Sequence, residues 1–248
     1  MSRWKAAAIH LFISLAIALI IGFVFLKIWY PPPFFSAAGA DELMLLLVGV
    51  DVTLGPLITL IIFRSGKRGL KFDLAVIALV QCCSLAYGLS IVLQSRPVFL
   101  VAAIDRFILV FANELDDAAL QKGKQAEFQH LSWSGPKLVG ATLPIDPQKK
   151  SDLLWSSAAT HEDIEHLPEF YVPYEQQAQA IIEHAKKLDT LRAKHPGAAN
   201  QIDEVARQNQ MDVNDLAYLP LIARKHDLSM LISKRTGKVI QAISVDPW

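Results

Sequence analysis

Three apolar runs fill the first part of the chain, from residue 6 to about 29, from about 43 to 63 and from about 72 to 93. An α-helix rises 1.5 Å per residue, so roughly 20 apolar residues cover a hydrocarbon core of about 30 Å. Each run meets that length. From Arg96 onward, charges, amides and prolines recur as in a fold that faces water. The expected organisation is a three-helix transmembrane domain over residues 1–95 and an attached domain over residues 96–248. The second part is long enough to bury a core of its own. The chain has 24 basic and 24 acidic side chains. That balance provides no basic face for a phosphate backbone, which argues against nucleic-acid binding.

The first run follows Arg3, Trp4 and Lys5 and ends at Trp29-Tyr30, residues suited to the headgroup level. Pro31-Pro32-Pro33 then stops any helix. A signal peptide cleaved near Ala38-Gly39-Ala40 is the competing reading, but the apolar region exceeds the usual 7 to 15 residues or so. Residues 64–71 carry Arg64, Lys67, Arg68 and Lys71, whereas residues 31–42 carry no lysine or arginine. Basic loops stay in the cytoplasm. The N-terminus and the loop 64–71 are therefore expected inside, and the domain after the third span outside. Cys82 and Cys83 are adjacent within an apolar run and read as packing residues.

Inside the second run, GVDVTLGPLITLIIF at 49–63 holds an acid, two threonines and a Gly-Pro pair. A carboxylate near the bilayer centre costs roughly 2.5 to 3.5 kcal/mol on insertion scales, so Asp51 should face protein. Pro56 removes one helical donor, and neighbouring helices must absorb the consequence. Small and hydroxyl residues let helices approach closely in lipid, which makes Gly49, Asp51, Thr53, Gly55, Pro56 and Thr59 candidates for docking a partner helix. Packing among the chain's own three spans explains the same residues. Lys27 is expected to snorkel to the interface, with a pair to Asp51, geometrically possible across the antiparallel spans, as the alternative. Asp73 stands where it favours a helix N-terminus. His10 is placed near the inner interface.

Beyond the spans, residues 98–111 read as a strand interrupted by Asp105-Arg106, and side-chain alternation argues against a simple pair between those two. Helices are expected over 114–131, 149–159, 173–194 and, more weakly, 198–208. Short strands are expected at 138–143, 218–223, 228–233 and 239–245, the last two forming a hairpin with a turn at Gly237. The fold class is thus a membrane protein with three N-terminal transmembrane helices and a C-terminal α+β domain on an antiparallel or mixed sheet. The segment His161-Glu162-Asp163-Ile164-Glu165-His166 lacks metalloprotease spacing. No nucleophile elbow, phosphate loop or metal-ligand spacing is present, so neither an enzyme nor a cofactor is expected.

WYPPPFF at 29–35, GVDVTLGPLITLIIF at 49–63, KFDLAVIALVQ at 71–81, AYG at 86–88 and RPVFLVAAIDRF at 96–107 together resemble the TfpX/TfpZ family of type IV pilin accessory proteins. The resemblance is strongest through residue 107. It implies a Gram-negative inner-membrane protein that chaperones a cognate type IV pilin or modulates its assembly, among other inner-membrane pilus components. A pilin awaiting assembly is held in the bilayer by one apolar helix, against which a short bundle could pack. The resemblance brings no catalytic residues. Asp51, Gly55, Pro56, Asp73, Asp105 and Arg106 belong to its pattern without an assigned role. The alternative is a membrane-anchored periplasmic sensor or ligand-binding protein, for which the cytoplasmic segments offer little room for an output domain.

Overall fold

A computed structural model describes residues 1–144, 146–148, 150–151, 153 and 163–248. Helix α1 (Arg3–Val24) is capped by the Ser2 hydroxyl and continues as a wider π-helical turn, Phe25–Trp29. The prolines end it, and a single turn, α2 (Phe34–Ala37), redirects the chain. Helix α3 (Ala40–Ile62) starts after Gly39, whose φ of 76° suits a residue without Cβ. Asp41 and Glu42 occupy its first turn, where negative charge is favoured by the helix dipole. Helix α4 (Leu70–Ser95) completes three helices long and apolar enough to cross a membrane. Both α1 and α4 pack on α3, which is the middle member of the bundle.

The rest of the chain builds a mixed sheet. Its strands are β1 (Pro97–Ala103), β2 (Arg106–Phe111), β3 (Lys137–Ala141), β4 (Tyr171–Val172), β5 (Lys186–Lys187), β6 (Leu216–Ile222), β7 (Leu228–Ser233) and β8 (Val239–Ile243). The order is β4-β3-β1-β2-β6-β7-β8, with β5 also paired to β6. The β1–β3 and β2–β6 pairs are parallel and the others antiparallel.

Alternation along each strand sends side chains to two faces. One face carries Leu100, Ala102, Phe107, Leu109, Leu219 and Met230 in a single cluster with Phe25, Tyr30, Ala37, Leu47 and Val92 from the spans and their connection. The opposite face carries Phe99, Val101 and Val110 at one end and Leu216, Tyr218 and Leu231 at the other. Burial on both faces explains why β1, β2, β6 and β7 read as nearly continuous apolar runs. Polar links reinforce the seam between spans and sheet. The Tyr30 hydroxyl donates to the Ser95 carbonyl at 2.9 Å, and the Lys225 backbone N–H to the Ala37 carbonyl at 2.9 Å. The Lys225 ammonium lies 2.7 Å from Glu42.

The α+β architecture matches the expectation from sequence, while several elements differ from it. The strand expected over residues 98–111 is a hairpin, β1–β2, turned at Ile104-Asp105. Asp105 therefore lies in a turn, alternation does not separate it from Arg106, and the two form a bidentate pair at 2.8 and 3.2 Å. In place of a helix over 114–131 stands the five-residue α5 (Asp117–Gln121) with 3-10 turns on either side. The helix expected over 173–194 is divided into α6 (Ala178–His184) and α7 (Leu188–Lys194), separated by β5. The division has a reason in packing. Ile181 of α6 belongs to the cluster facing the spans, whereas Leu188 and Leu191 of α7 belong to the opposite face. The chain crosses the sheet plane at β5. Helix α8 (Ala198–Gln208) and the β7–β8 hairpin stand close to where the sequence puts them. Most of the helix expected over 149–159, and His161 and Glu162, lie outside the described residues.

Candidate functional site

On α3, Asp51, Gly55 and Thr59 recur every four residues and so fall along one helical face. That face is turned inward. All three are buried, as is Pro56. Opposite them are His10 of α1 and Gln81 of α4. His10 Nδ1 and Thr59 Oγ1 are 2.7 Å apart. A Cβ added to Gly55 would lie 2.8 Å from both His10 Nε2 and Gln81 Oε1, so glycine is what lets side chains from two other helices meet over α3. Asp51 lies one turn away, 9% exposed, and its Oδ1 has no hydrogen-bond partner among the described residues.

A polar contact, His10–Thr59, joins α1 to α3 within the apolar bundle, and Gln81 of α4 reaches the same place over Gly55. Interhelical hydrogen bonds of that kind contribute about 0.6 to 2 kcal/mol each in membranes. A nucleophile with an adjacent base and a substrate-sized opening is not part of it. Sequence reasoning singled out Asp51, Gly55 and Thr59, placed His10 near the inner interface without a partner, and gave Gln81 no role. The missed signal was depth: His10 lies seven residues into α1 and Thr59 three residues before the end of the antiparallel α3.

The other candidates are placed apart from this cluster. Gly49 and Thr53 lie on a different face of α3: Thr53 is exposed, and no atom comes within 4 Å of a Cβ added to Gly49. Lys27 is exposed on the π-helical turn, as snorkelling requires, whereas Asp51 is buried on the inward face of α3. Asp73 is in the first turn of α4 and pairs with Lys67 at 2.6 Å. Asp105 and Arg106 sit at the hairpin turn beside a cavity of about 260 Å³ that Glu165 also lines.

A second polar group lies outside the spans, around Glu114. Arg224 donates to Glu114 Oε1 at 2.8 Å and stacks on the Phe111 ring at 3.9 Å, while the Phe111 backbone N–H donates to Oε2 at 2.9 Å. His166 Nε2 approaches the same oxygen at 3.7 Å. Burial alone would raise the Glu114 carboxyl, but the His166, Arg224 and backbone contacts outweigh it and hold the carboxyl below its usual range. Glu114 in turn holds His166 above the ordinary histidine value, against the opposing effect of burial. A histidine raised on folding stabilises below its unfolded pKa of about 6.5 and loses that contribution as pH rises through the folded value. The thermal midpoint should therefore decline as pH climbs from about 6 toward 8, and His166→Asn should flatten the decline. Scanning fluorimetry of both proteins across that range checks this, and equal slopes would disprove the coupling.

A family model described as "Fimbrial assembly protein FimB" matches residues 1–39, which hold α1 and the turn after it. Two fimbrial assembly proteins of Dichelobacter nodosus, of serogroup I and serogroup E1, are each 26% identical to this chain. Each alignment covers 250 positions, 98% of this chain and 95% of the relative. A third, of serogroups C1 and C2, is 34% identical over 114 residues, which is 45% of this chain and 86% of that relative. No solved structure matches.

Proposed function

Because the chain belongs to the fimbrial assembly protein family, we propose that it is an inner-membrane accessory factor of type IV pilus biogenesis that binds a cognate pilin and guides its assembly. The observation that carries this reading is the match to fimbrial assembly proteins along 98% of the chain, spans and sheet together. The narrower resemblance to TfpX/TfpZ proteins agrees with it. In this reading residues 1–95 anchor the protein, with the N-terminus and the basic loop 64–71 in the cytoplasm, and residues 96–248 face the periplasm. The factor acts by binding, without catalysis.

The burial pattern divides the candidate docking residues. Asp51, Gly55, Pro56 and Thr59 hold the bundle together, and the outward Gly49 and Thr53 are left to meet a pilin helix. A threonine hydroxyl facing lipid finds a better environment against another helix, and an adjacent glycine permits close approach. With a photoreactive residue at position 53, irradiation of whole membranes is expected to give an adduct with pilin. Loss of the gene should remove surface fimbriae while other secretion continues. Normal fimbriation without the protein would refute the reading.

A further inference from the structure

Arg3, Lys5, Arg64, Lys67, Arg68 and Lys71 gather at one end of the bundle. Contacts between the spans place them there. His10 of α1 meets Thr59 of α3, and His10 and Gln81 of α4 meet over Gly55. Arg3 lies seven residues before His10, Arg64 five residues after Thr59 and Lys71 ten residues before Gln81. At 1.5 Å per residue, all three stand roughly 8 to 15 Å from those contacts toward the same end. The six cations are exposed, and no atom comes within 4 Å of a Cβ added to Gly66 or Gly69 in the loop between α3 and α4. Residues 1–20 and 60–80 contain a single acid, Asp73, which pairs with Lys67. Among the described residues the other five cations have no carboxylate partner. Like charges so grouped repel one another, and a bound anion relieves that repulsion.

Apolar surface begins directly beside the charges. Trp4 and Phe72, next to Lys5 and Lys71 in sequence, are 65% and 72% exposed. Phe12 on α1 and Leu79 and Val80 on α4 extend exposed apolar surface along the same helices. A ligand that matches both parts carries an anionic head on apolar tails. An acidic peptide would match the charge and leave the apolar flanks uncovered. We propose that this end of the bundle binds an anionic phospholipid, its phosphate held among Arg3, Lys5, Arg64, Arg68 and Lys71 and its acyl chains along α1 and α4. Arginine grips phosphate oxygens through its planar fork, and lysine adds a point charge. The Trp4 indole, an apolar body with one N–H donor, suits the junction of head and tails. The other end of the bundle differs in charge: Asp41 and Glu42 stand there in the first turn of α3, beside Lys225.

The test titrates the full chain in neutral detergent with phosphatidylglycerol or with phosphatidylcholine of the same acyl chains, and counts retained lipid by native mass spectrometry. Phosphatidylglycerol should be held at least about tenfold more tightly, since each basic residue near an anionic headgroup is worth about fivefold. Arg64→Gln/Arg68→Gln/Lys71→Gln should remove that preference, and Arg68→Gln alone should weaken phosphatidylglycerol about fivefold. Lys27→Gln, an exposed cation at the other end of α1, should change nothing. Because the substituted side chains are exposed and unpaired, lipid-free thermal midpoints should stay at the unsubstituted value. Equal retention of the two lipids would overturn the inference, as would indifference to both loop variants or an equal loss in Lys27→Gln. Retention of inorganic phosphate as tight as that of the lipid would also overturn it, marking a site for a free anion. In native membranes a photoreactive residue at the exposed Ser65 should give lipid adducts, and adducts with an acidic protein in their place would overturn the lipid assignment.

Discussion

Gly237→Ala is expected to destabilise the sheet-bearing part of the protein by about 2 to 5 kcal/mol, combining left-handed backbone strain with overpacking. Gly237 closes the β7–β8 turn with φ of 70°, its N–H bonded to the Ser233 carbonyl at 2.8 Å. An added Cβ would stand 2.5 Å from the Ala178 carbonyl oxygen and 2.9 Å from the Ala178 Cβ. Neither atom is the free end of a long side chain, so α6 or the turn itself has to shift. The Gly237 carbonyl also accepts the Tyr174 hydroxyl at 2.5 Å, which leaves the turn little freedom to move away. Asparagine tolerates positive φ but still carries the offending Cβ. Gly237→Asn should thus recover only the strain component. Denaturant unfolding in detergent, followed by near-ultraviolet circular dichroism, measures both variants; a change under about 0.5 kcal/mol for Gly237→Ala would mean that the turn relaxes freely.

Phe107→Ala should cost about 3 to 5 kcal/mol, the range for truncating a fully buried aromatic. Phe107 has no exposed surface and its ring lies 6.1 Å from that of Tyr174. It belongs to the cluster that contains Phe25 and Tyr30 at the end of the first span. The neighbouring Ile108 points to the opposite face. Both Phe107→Ala and Ile108→Ala should lower stability, but only the first should loosen the sheet from the spans. Trp29 packs against the shared cluster and reports on that seam. In a background where the other tryptophans are phenylalanine, Phe107→Ala is expected to move Trp29 emission to the red, and Ile108→Ala to leave it unchanged. Identical emission from both variants would show that the two faces do not act separately.

Much of the molecule is written in local pattern. Length and apolarity specify the three spans, and three prolines specify where the first one stops. The turn at Gly237 between two apolar runs specifies the β7–β8 hairpin, and the amphipathic stretch ending near Gln208 specifies α8. Those features depend on backbone geometry and on the simple demand that apolar side chains leave water, which act within a few residues of one another. The requirement that Asp51 face protein is of the same kind, since it follows from the cost of charge in hydrocarbon alone.

Tertiary structure decided which protein Asp51 faces and where the candidate residues divide. The rotation of α1 against α3 turns Asp51 inward and sets His10 against Thr59, a pairing that no local pattern states. Gly55 is a packing solution for two side chains from distant helices, which no reading of its neighbours reveals. Asp105 and Arg106 pair because the chain turns there, a choice made by the register of β1 against β2 and not by either residue. The periodic stretch from 173 to 194 divides because its two halves are buried on opposite faces of the sheet. An apolar stripe records that a helix is buried on one side; it carries no information about which surface buries it. Partner choice across the sheet and across the bundle comes from contacts between residues far apart in sequence, and those exist only once the chain has folded.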